Sequence, residues 1–585
     1  MRVPLVLAAL LVAAVPAAAR KAPPSANPQA EIDGQALKDH TRILSSDAFE
    51  GRAPGTPGED KSVAYIADQM EKAGLQPGNG TSWFQQVPLV ETRLDPAMRF
   101  RLIGPQAPTL LYGRDIMVAT KRTTPVVSIA NTPIVFAGYG IHAPERGWDD
   151  YAGLDVRGKT VLVLVNDPDW RNPVGQGAFG GRAMTYYGRW DYKHDEAAKR
   201  GAAAILVIHQ TQPAAYPWTV VTSSWSGPKV DAARDDNGAS RPAFEGWITG
   251  TAADQLLHAA GTTLVAAEAQ AGRPGFHAIP IPLTLSATSP NTVRRFTSRN
   301  VIGILPGRTR PNEYVIYTAH WDHLGHCPAD ARHDEICNGA LDNASGVAGL
   351  LALAKAQADA GAANRSMLFL SVTGEESGLL GSEYYATDPV YPLAQTVGGV
   401  NMDGLNVIGR TSDLVIIGAG KSELEPLLTQ AAARQSRRIE PEPTPEKGYY
   451  YRSDHFSFAK YGVPMLDAES GIDVRGKGKA FGQAAQDDYT AHRYHQPSDE
   501  YNPNWDWSGA IEDLALYFNV GRQLANSRDW PNWYASAEFR AARDASRAGQ
   551  PATSEPGKGE NRDRKHREDN PERPGRNEGA PLPHP

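Results

Sequence analysis

The pieces Ala319-His320-Trp321-Asp322-His323-Leu324-Gly325, Asn338-Gly339-Ala340-Leu341-Asp342-Asn343-Ala344-Ser345-Gly346 and Thr373-Gly374-Glu375-Glu376-Ser377 decide the fold. Each adjoins an apolar run. Residues 301–305 and 314–318 read as buried strands, the second delivering His320. Residues 346–358 carry Val347, Leu350, Leu351 and Leu353 at helical spacing without a proline, so they read as a helix with Ser345 near its N-cap. Residues 367–372 read as another strand, which delivers Glu375 and Glu376. Strand, loop, helix, strand is the alternation of an α/β sheet. Such sheets bind ligands outside the carboxyl ends of their strands, where this histidine and these acids stand.

The same alternation extends outward. Residues 398–403 read as a strand running into a loop at Asp403, residues 414–418 as a strand, 424–435 as a helix and 511–525 as a closing amphipathic helix. Upstream, helical patterns over 32–44 and 62–73 flank a loop rich in glycine and proline, Phe49-Glu50-Gly51-Arg52-Ala53-Pro54-Gly55. From about residue 120 the texture changes to short strands, at 133–141, 160–167 and 202–209, with few helical signals. That region reads as a β-rich module inserted into the larger sheet.

With 585 residues the chain exceeds one ordinary core and suits two or three domains. Its formal net charge of −7 argues against nucleic acid as a partner. Arg2, the apolar residues 3–15 and Ala17-Ala18-Ala19 read as a secretory signal peptide over 1–19. No later segment has the run of roughly 18 or more apolar residues that a membrane span needs. The expectation is an exported protein, periplasmic or secreted. The two cysteines, Cys327 and Cys337, share one short loop, which in such a compartment predicts a disulfide. Residues 545–585 hold almost no apolar side chains and read as a disordered tail.

Five groups in the α/β region could bind metal: His320, Asp342, Glu376, Asp403 and His495. Two imidazoles with three carboxylates suit a pair of borderline divalent ions, zinc above all. Asp322, two residues after His320, is placed to accept the other ring N–H of a ligating imidazole. Glu375, beside Glu376, suits a general base. Singly these signals are weak, because a lone histidine is more often packed or exposed than ligating, and paired glutamates are usually a solvated face.

Together, His320-Trp321-Asp322-His323-Leu324-Gly325, Gly339-Ala340-Leu341-Asp342-Asn343-Ala344-Ser345-Gly346, Glu375-Glu376-Ser377-Gly378, Asn401-Met402-Asp403 and Tyr494-His495-Gln496-Pro497-Ser498-Asp499 resemble the co-catalytic zinc exopeptidases of metallopeptidase family 28, the aminopeptidase and glutamate carboxypeptidase group. The resemblance implies an α/β zinc peptidase fold, a mixed central sheet with helices on both faces, formed by 32–119 and 290–528. It also implies a protease-associated domain over 120–289. It implies two zinc ions per chain, one on His320 and the other on His495, bridged by Asp342 and completed by Glu376 and Asp403. Glu375 would be the base, Asp322 would orient His320, and Tyr494 would stabilise the tetrahedral intermediate. Arg452 would contact the substrate backbone, and the Asp342–Asn343 peptide bond would be cis. His323 and His455 read as structural.

The function so implied is a dizinc aminopeptidase acting on peptides. A carboxypeptidase or dipeptidase on the same fold would need a basic pocket, which the sequence does not locate. A receptor-like binding protein would be expected to lose ligands that are all present here, and a single-zinc glutaminyl cyclase fits the complete bridging set less well. The terminal-residue preference and the oligomeric state stay open.

Overall fold

The computed structural model describes residues 31–549. The signal peptide read over 1–19 lies outside these residues, as does the expected tail beyond residue 549. Residues 545 and 546 instead close a short helix, Arg540–Ser546.

A continuous sheet of 16 strands organises the described residues. At its centre the strand Arg310–His320 lies parallel to both Arg365–Val372 and Thr396–Asn401, and Thr396–Asn401 lies parallel to Met465–Ser470. The strand Ile279–Leu305 pairs antiparallel with Arg365–Val372, so the sheet is mixed. Alternate residues of the central strand face opposite layers, as the pleat requires. Val315, Tyr317 and Ala319 pack under Gly346–Asp359 and Ser508–Asn526, with Leu350 and Leu514 in the same core. Tyr314 and Ile316 face the other layer, with Tyr385 and Phe458 from two helices there. Helices on both faces and a largely parallel centre bury this sheet, and the expected α/β class is the observed one.

The 27 residues of Ile279–Leu305 carry the sheet into a second core. Their first half pairs with Val126–Phe136 and Arg99–Ile103, and beyond these lie Thr160–Leu164, Ala204–His209 and Phe244–Thr249. Leu162, Leu206, Phe244, Leu256 and Leu285 fill that core. The segment also holds helices that sequence periodicity missed, Gly250–Ala259 and Leu264–Ala271. Of these, Leu264–Ala271 is rich in alanine, which favours helix but draws little contrast between faces. Their starts are set by Thr249 and Thr263, whose hydroxyls accept the N–H groups of Ala252 and Ala266. Nor is 511–525 the last helix. The chain returns through buried Trp533, and Arg543 donates to the carbonyls of Thr396 and Val397 at the sheet.

His194 lies beside the core on the opposite face of the strands that line this second core, 2% exposed and ringed by Trp190 and Trp225. Burial holds its imidazole down at about 4. The unfolded chain takes up this proton below about 6.5, whereas the folded chain resists until about 4. Stability from the neutral ring is therefore complete above pH 6.5 and is lost as the pH falls toward 4. Urea unfolding followed by tryptophan fluorescence should show a midpoint that drops across this window, and His194→Gln should flatten the drop. An equal slope in the variant would remove His194 as its source.

Candidate metal centre

The central strands place the site's groups at their carboxyl ends. His320 is the last residue of its strand, and Asp403 follows Asn401, the last residue of the neighbouring parallel strand. Asp342 sits in the turn before the helix Gly346–Asp359. His320 Nε2 lies 3.1 Å from Asp403 Oδ1 and 3.4 Å from Asp342 Oδ1. His495 Nε2 lies 3.3 Å from Asp342 Oδ2 and 3.1 Å from Glu376 Oε2. Asp342 thus offers one oxygen to each imidazole, and all five predicted ligand residues converge.

The turn is fixed from several sides. The Asp342–Asn343 bond is cis, as the resemblance implied. Asn343 Oδ1 accepts the N–H groups of Gly346 and Gly404, and its Nδ2 donates to the Met402 carbonyl, which ties the Asp342 turn to the Asp403 loop. Gly346 must be glycine, because a Cβ there would lie 2.0 Å from Asn343 Oδ1. Ser345 does not cap the helix. Its hydroxyl turns back to the Leu341 carbonyl and accepts from Leu405 N–H, so Asn343 takes over the cap. Buried Asp499 accepts from the N–H groups of Leu341 (3.1 Å) and Asp342 (3.1 Å). Arg52, 1% exposed, donates to the carbonyls of Leu44, Trp321, Asn338 and Gly339, joining the strand end to the turn.

Asp322 behaves differently from expectation. His320 Nδ1 lies 3.1 Å from the Asp322 backbone carbonyl, whereas the carboxylate is 3.8 Å away and accepts Glu375 N–H at 3.2 Å. The carbonyl is the nearer acceptor because the chain turns immediately after the strand end. Glu375 and Glu376 stand in a turn beyond Val372. Glu375 Oε2 is 3.9 Å from His320 Nε2. His323 is closer to the centre than a purely structural residue: its Nδ1 is 2.6 Å from Glu376 Oε1, and it groups with Asp342 and Glu376 within metal-ligand reach. Since Oε1 is taken by His323, Glu376 turns Oε2 toward His495. Tyr494 is 47% exposed and stacks on His495 at 3.9 Å, and His495 has φ of 59°, a left-handed conformation uncommon for this residue type. Arg452 lies off the cluster, its guanidinium 5.4 Å from the Tyr449 ring. His455 is wholly buried beside Asp467, 3.3 Å away.

Electrostatics favour a cation here. Among the described residues no lysine or arginine bonds to Asp342, Glu375, Glu376 or Asp403. Burial opposes charge on His320 and His495, yet the carboxylates outweigh it and raise both imidazoles well above the ordinary value. Glu376, despite burial, is held down at about 2 by His495 and His323. Burial, with Asp403 and Glu376 nearby, pushes Glu375 well up, although His320 opposes this. A field that draws protons onto both imidazoles also draws divalent cations, and the oxygen and nitrogen donors fit zinc. The Cys327–Cys337 disulfide closes the neighbouring loop. Gly51 lies against that loop with φ of +65°, where a Cβ would sit 2.6 Å from the Cys337 and Gly325 carbonyls.

Residues 300–519 match the family model of peptidase family M28. A 139-residue stretch is 31% identical to mouse aminopeptidase NAALADL1, covering 22% of this chain and 17% of the mouse protein. The rat protein of the same name is 32% identical over 119 residues, covering 19% of this chain and 14% of its own. The match therefore spans less than a fifth of these relatives' length. Among solved structures, an aminopeptidase from Aneurinibacillus sp. strain AM-1 is similar at 20% identity, with a TM-score of 0.43 over 84% of this chain and 94% of its own. A zinc aminopeptidase from Bacillus subtilis is similar at 18% identity, with a TM-score of 0.39 over 88% and 98%.

Asp499→Ala should leave the N–H groups of Leu341 and Asp342 without partners. We expect a stability loss of about 1–3 kcal/mol and a metal affinity weaker by about 10–100-fold. Chelator competition alongside thermal melts measures both. Unchanged affinity would show that Asp342 holds its place without Asp499.

Proposed function

We propose that this chain is an exported, zinc-dependent exopeptidase, an aminopeptidase that removes N-terminal residues from peptides. The observation that carries the reading is Asp342, whose two oxygens meet two imidazoles in a site dense with carboxylates. His320 and Asp403 would hold one ion, His495 and Glu376 a second, with Asp342 shared. Bound zinc polarises the scissile carbonyl and supplies a nucleophile near neutral pH. Residues 120–289 would be a protease-associated domain inserted in a catalytic unit formed by 32–119 and 290–528.

The chain's own groups account for the remaining steps. Glu375, with its affinity for protons raised by burial, accepts a proton from the attacking water and returns it to the departing amine nitrogen. The C–O bond forms first, and the C–N bond breaks afterwards as the proton held by Glu375 passes to the departing nitrogen, so the proton balance closes on one carboxyl group. The Asp322 carbonyl fixes the His320 tautomer by accepting from Nδ1, and His323 holds Glu376 from behind. The Tyr494 hydroxyl donates to the developing oxyanion, and Arg452 contacts the substrate. The name of the mammalian relatives, aminopeptidase, agrees with this direction of attack.

Two expectations test the reading. Purified protein dialysed against zinc should hold close to two ions per chain by elemental analysis. Full activity at a saturating value of one would contradict the shared role of Asp342. Glu375→Gln should keep its metal but lose about 10²–10⁴-fold in kcat toward aminoacyl substrates. Near-normal turnover in the fully metallated variant would remove Glu375 as the base.

A further inference from the structure

His495 stands just past the end of a helix that has almost no support of its own. Lys479–His492 is 14 residues long, yet Gly482 is its one buried residue. That glycine lies against the chain at Ile472, where an added Cβ would meet the carbonyl oxygen at 2.1 Å. The other residues are exposed or half-buried. The helix starts without a side-chain cap and without an acid in its first turn. Lys479, its first residue, sets a cation against the positive end of the helix dipole. A helix of this length is marginal in water unless tertiary contacts hold it. The chain enters it through Gly476 and Gly478, at φ of 78° and 79°, where an added Cβ would touch nothing. It leaves through His495, also left-handed. Both ends are turns rather than packed segments.

One side chain ties the far end of this helix to the core. The Tyr489 hydroxyl donates to Asp499 Oδ2 at 3.3 Å, and the same oxygen accepts Asp342 N–H at 3.1 Å. The Tyr489 carbonyl accepts the N–H groups of Arg493 and Tyr494, both at 2.9 Å, so Tyr489 also shapes the turn that carries His495. Asp499 thus stands between the helix and the turn of the bridging carboxylate. A single hydrogen bond adds little net stability in water. An ion shared by His495 with Glu376 and Asp342, which belong to the core, would be the firmer tie.

We propose that Lys479–His492 is a hinged arm fastened to the core by the ion that His495 holds, and that Tyr489 is the positioning residue that clasps the arm to Asp499. This rests on the reading of two ions given above. Linkage runs both ways: the ion orders the arm, and an arm that is only partly closed lowers the affinity for that ion. The ion on His320 and Asp403 carries no such cost, because His320 ends one packed central strand and Asp403 follows another.

Hydrogen–deuterium exchange, read by mass spectrometry on chelator-stripped protein titrated with zinc chloride, tests this. Excess zinc should slow exchange at 480–492 by about 10–100-fold and leave 346–359 nearly unchanged. H495A should still take up one zinc by elemental analysis, with no slowing in the arm. Y489F should speed arm exchange before zinc is added and weaken the second zinc-binding step by about 3–10-fold, leaving the first step as it was. Arm exchange that ignores zinc, or that slows equally in H495A, would overturn the hinge. Native exchange and zinc binding in Y489F would overturn the clasp. If H495A fails to fold, the titration of the native protein decides alone. Zinc-dependent ordering of the arm in a fully loaded protein that cleaves no peptide would sink the peptidase reading and leave the arm standing. Cleavage by a two-zinc protein whose arm ignores zinc would do the reverse.

Discussion

The placement of one carboxylate between two imidazoles governs the rest of the structure. Asp342 can face His320 and His495 together only if the turn that carries it is immobile. Every close contact around that turn serves this end. Asp499 grips its N–H groups, Asn343 binds it to the Asp403 loop, Ser345 folds back on Leu341, and Gly346 leaves room for the Asn343 side chain. The helix that follows packs its apolar residues under the central sheet, so the core and the site share one anchor.

Charge explains why the arrangement is dedicated to a cation. Several ionised carboxylates within a few ångströms repel one another strongly where water is scarce. The one deeply buried arginine behind them, Arg52, spends its donors on backbone carbonyls, and burial pulls it down to about 10. The fold therefore uses Arg52 to hold geometry and leaves the carboxylates for something else to neutralise.

Much of this was legible in the sequence. Apolar runs ending in histidine or acid gave the parallel strands, because a buried parallel strand must be continuously apolar and its carboxyl end faces the site. The five ligand residues and the cis bond followed from resemblance, not from spacing, since His320 and His495 are too far apart in sequence for any local pattern to join them. What stayed hidden depended on long-range contact or on a change of chain direction. Asp499 had no visible partner until the turn at 340–342 folded against it. Arg52 lay in a loop recognised only by its glycines and prolines. His323 looked like a packing residue because its link to Glu376 spans 53 positions. Asp322 was expected to act through its carboxylate, whereas its carbonyl lies closer. The alanine-rich helix at 264–271 lacks the amphipathic contrast on which periodicity depends.

The central claim is that Asp342 is shared between two metal ions. Anomalous diffraction at the zinc edge from zinc-loaded crystals addresses it most directly. The account predicts two peaks flanking Asp342, one against His320 and Asp403, the other against Glu376 and His495. A single peak, or a second peak held by His323 with Asp342 on only one ion, would contradict it.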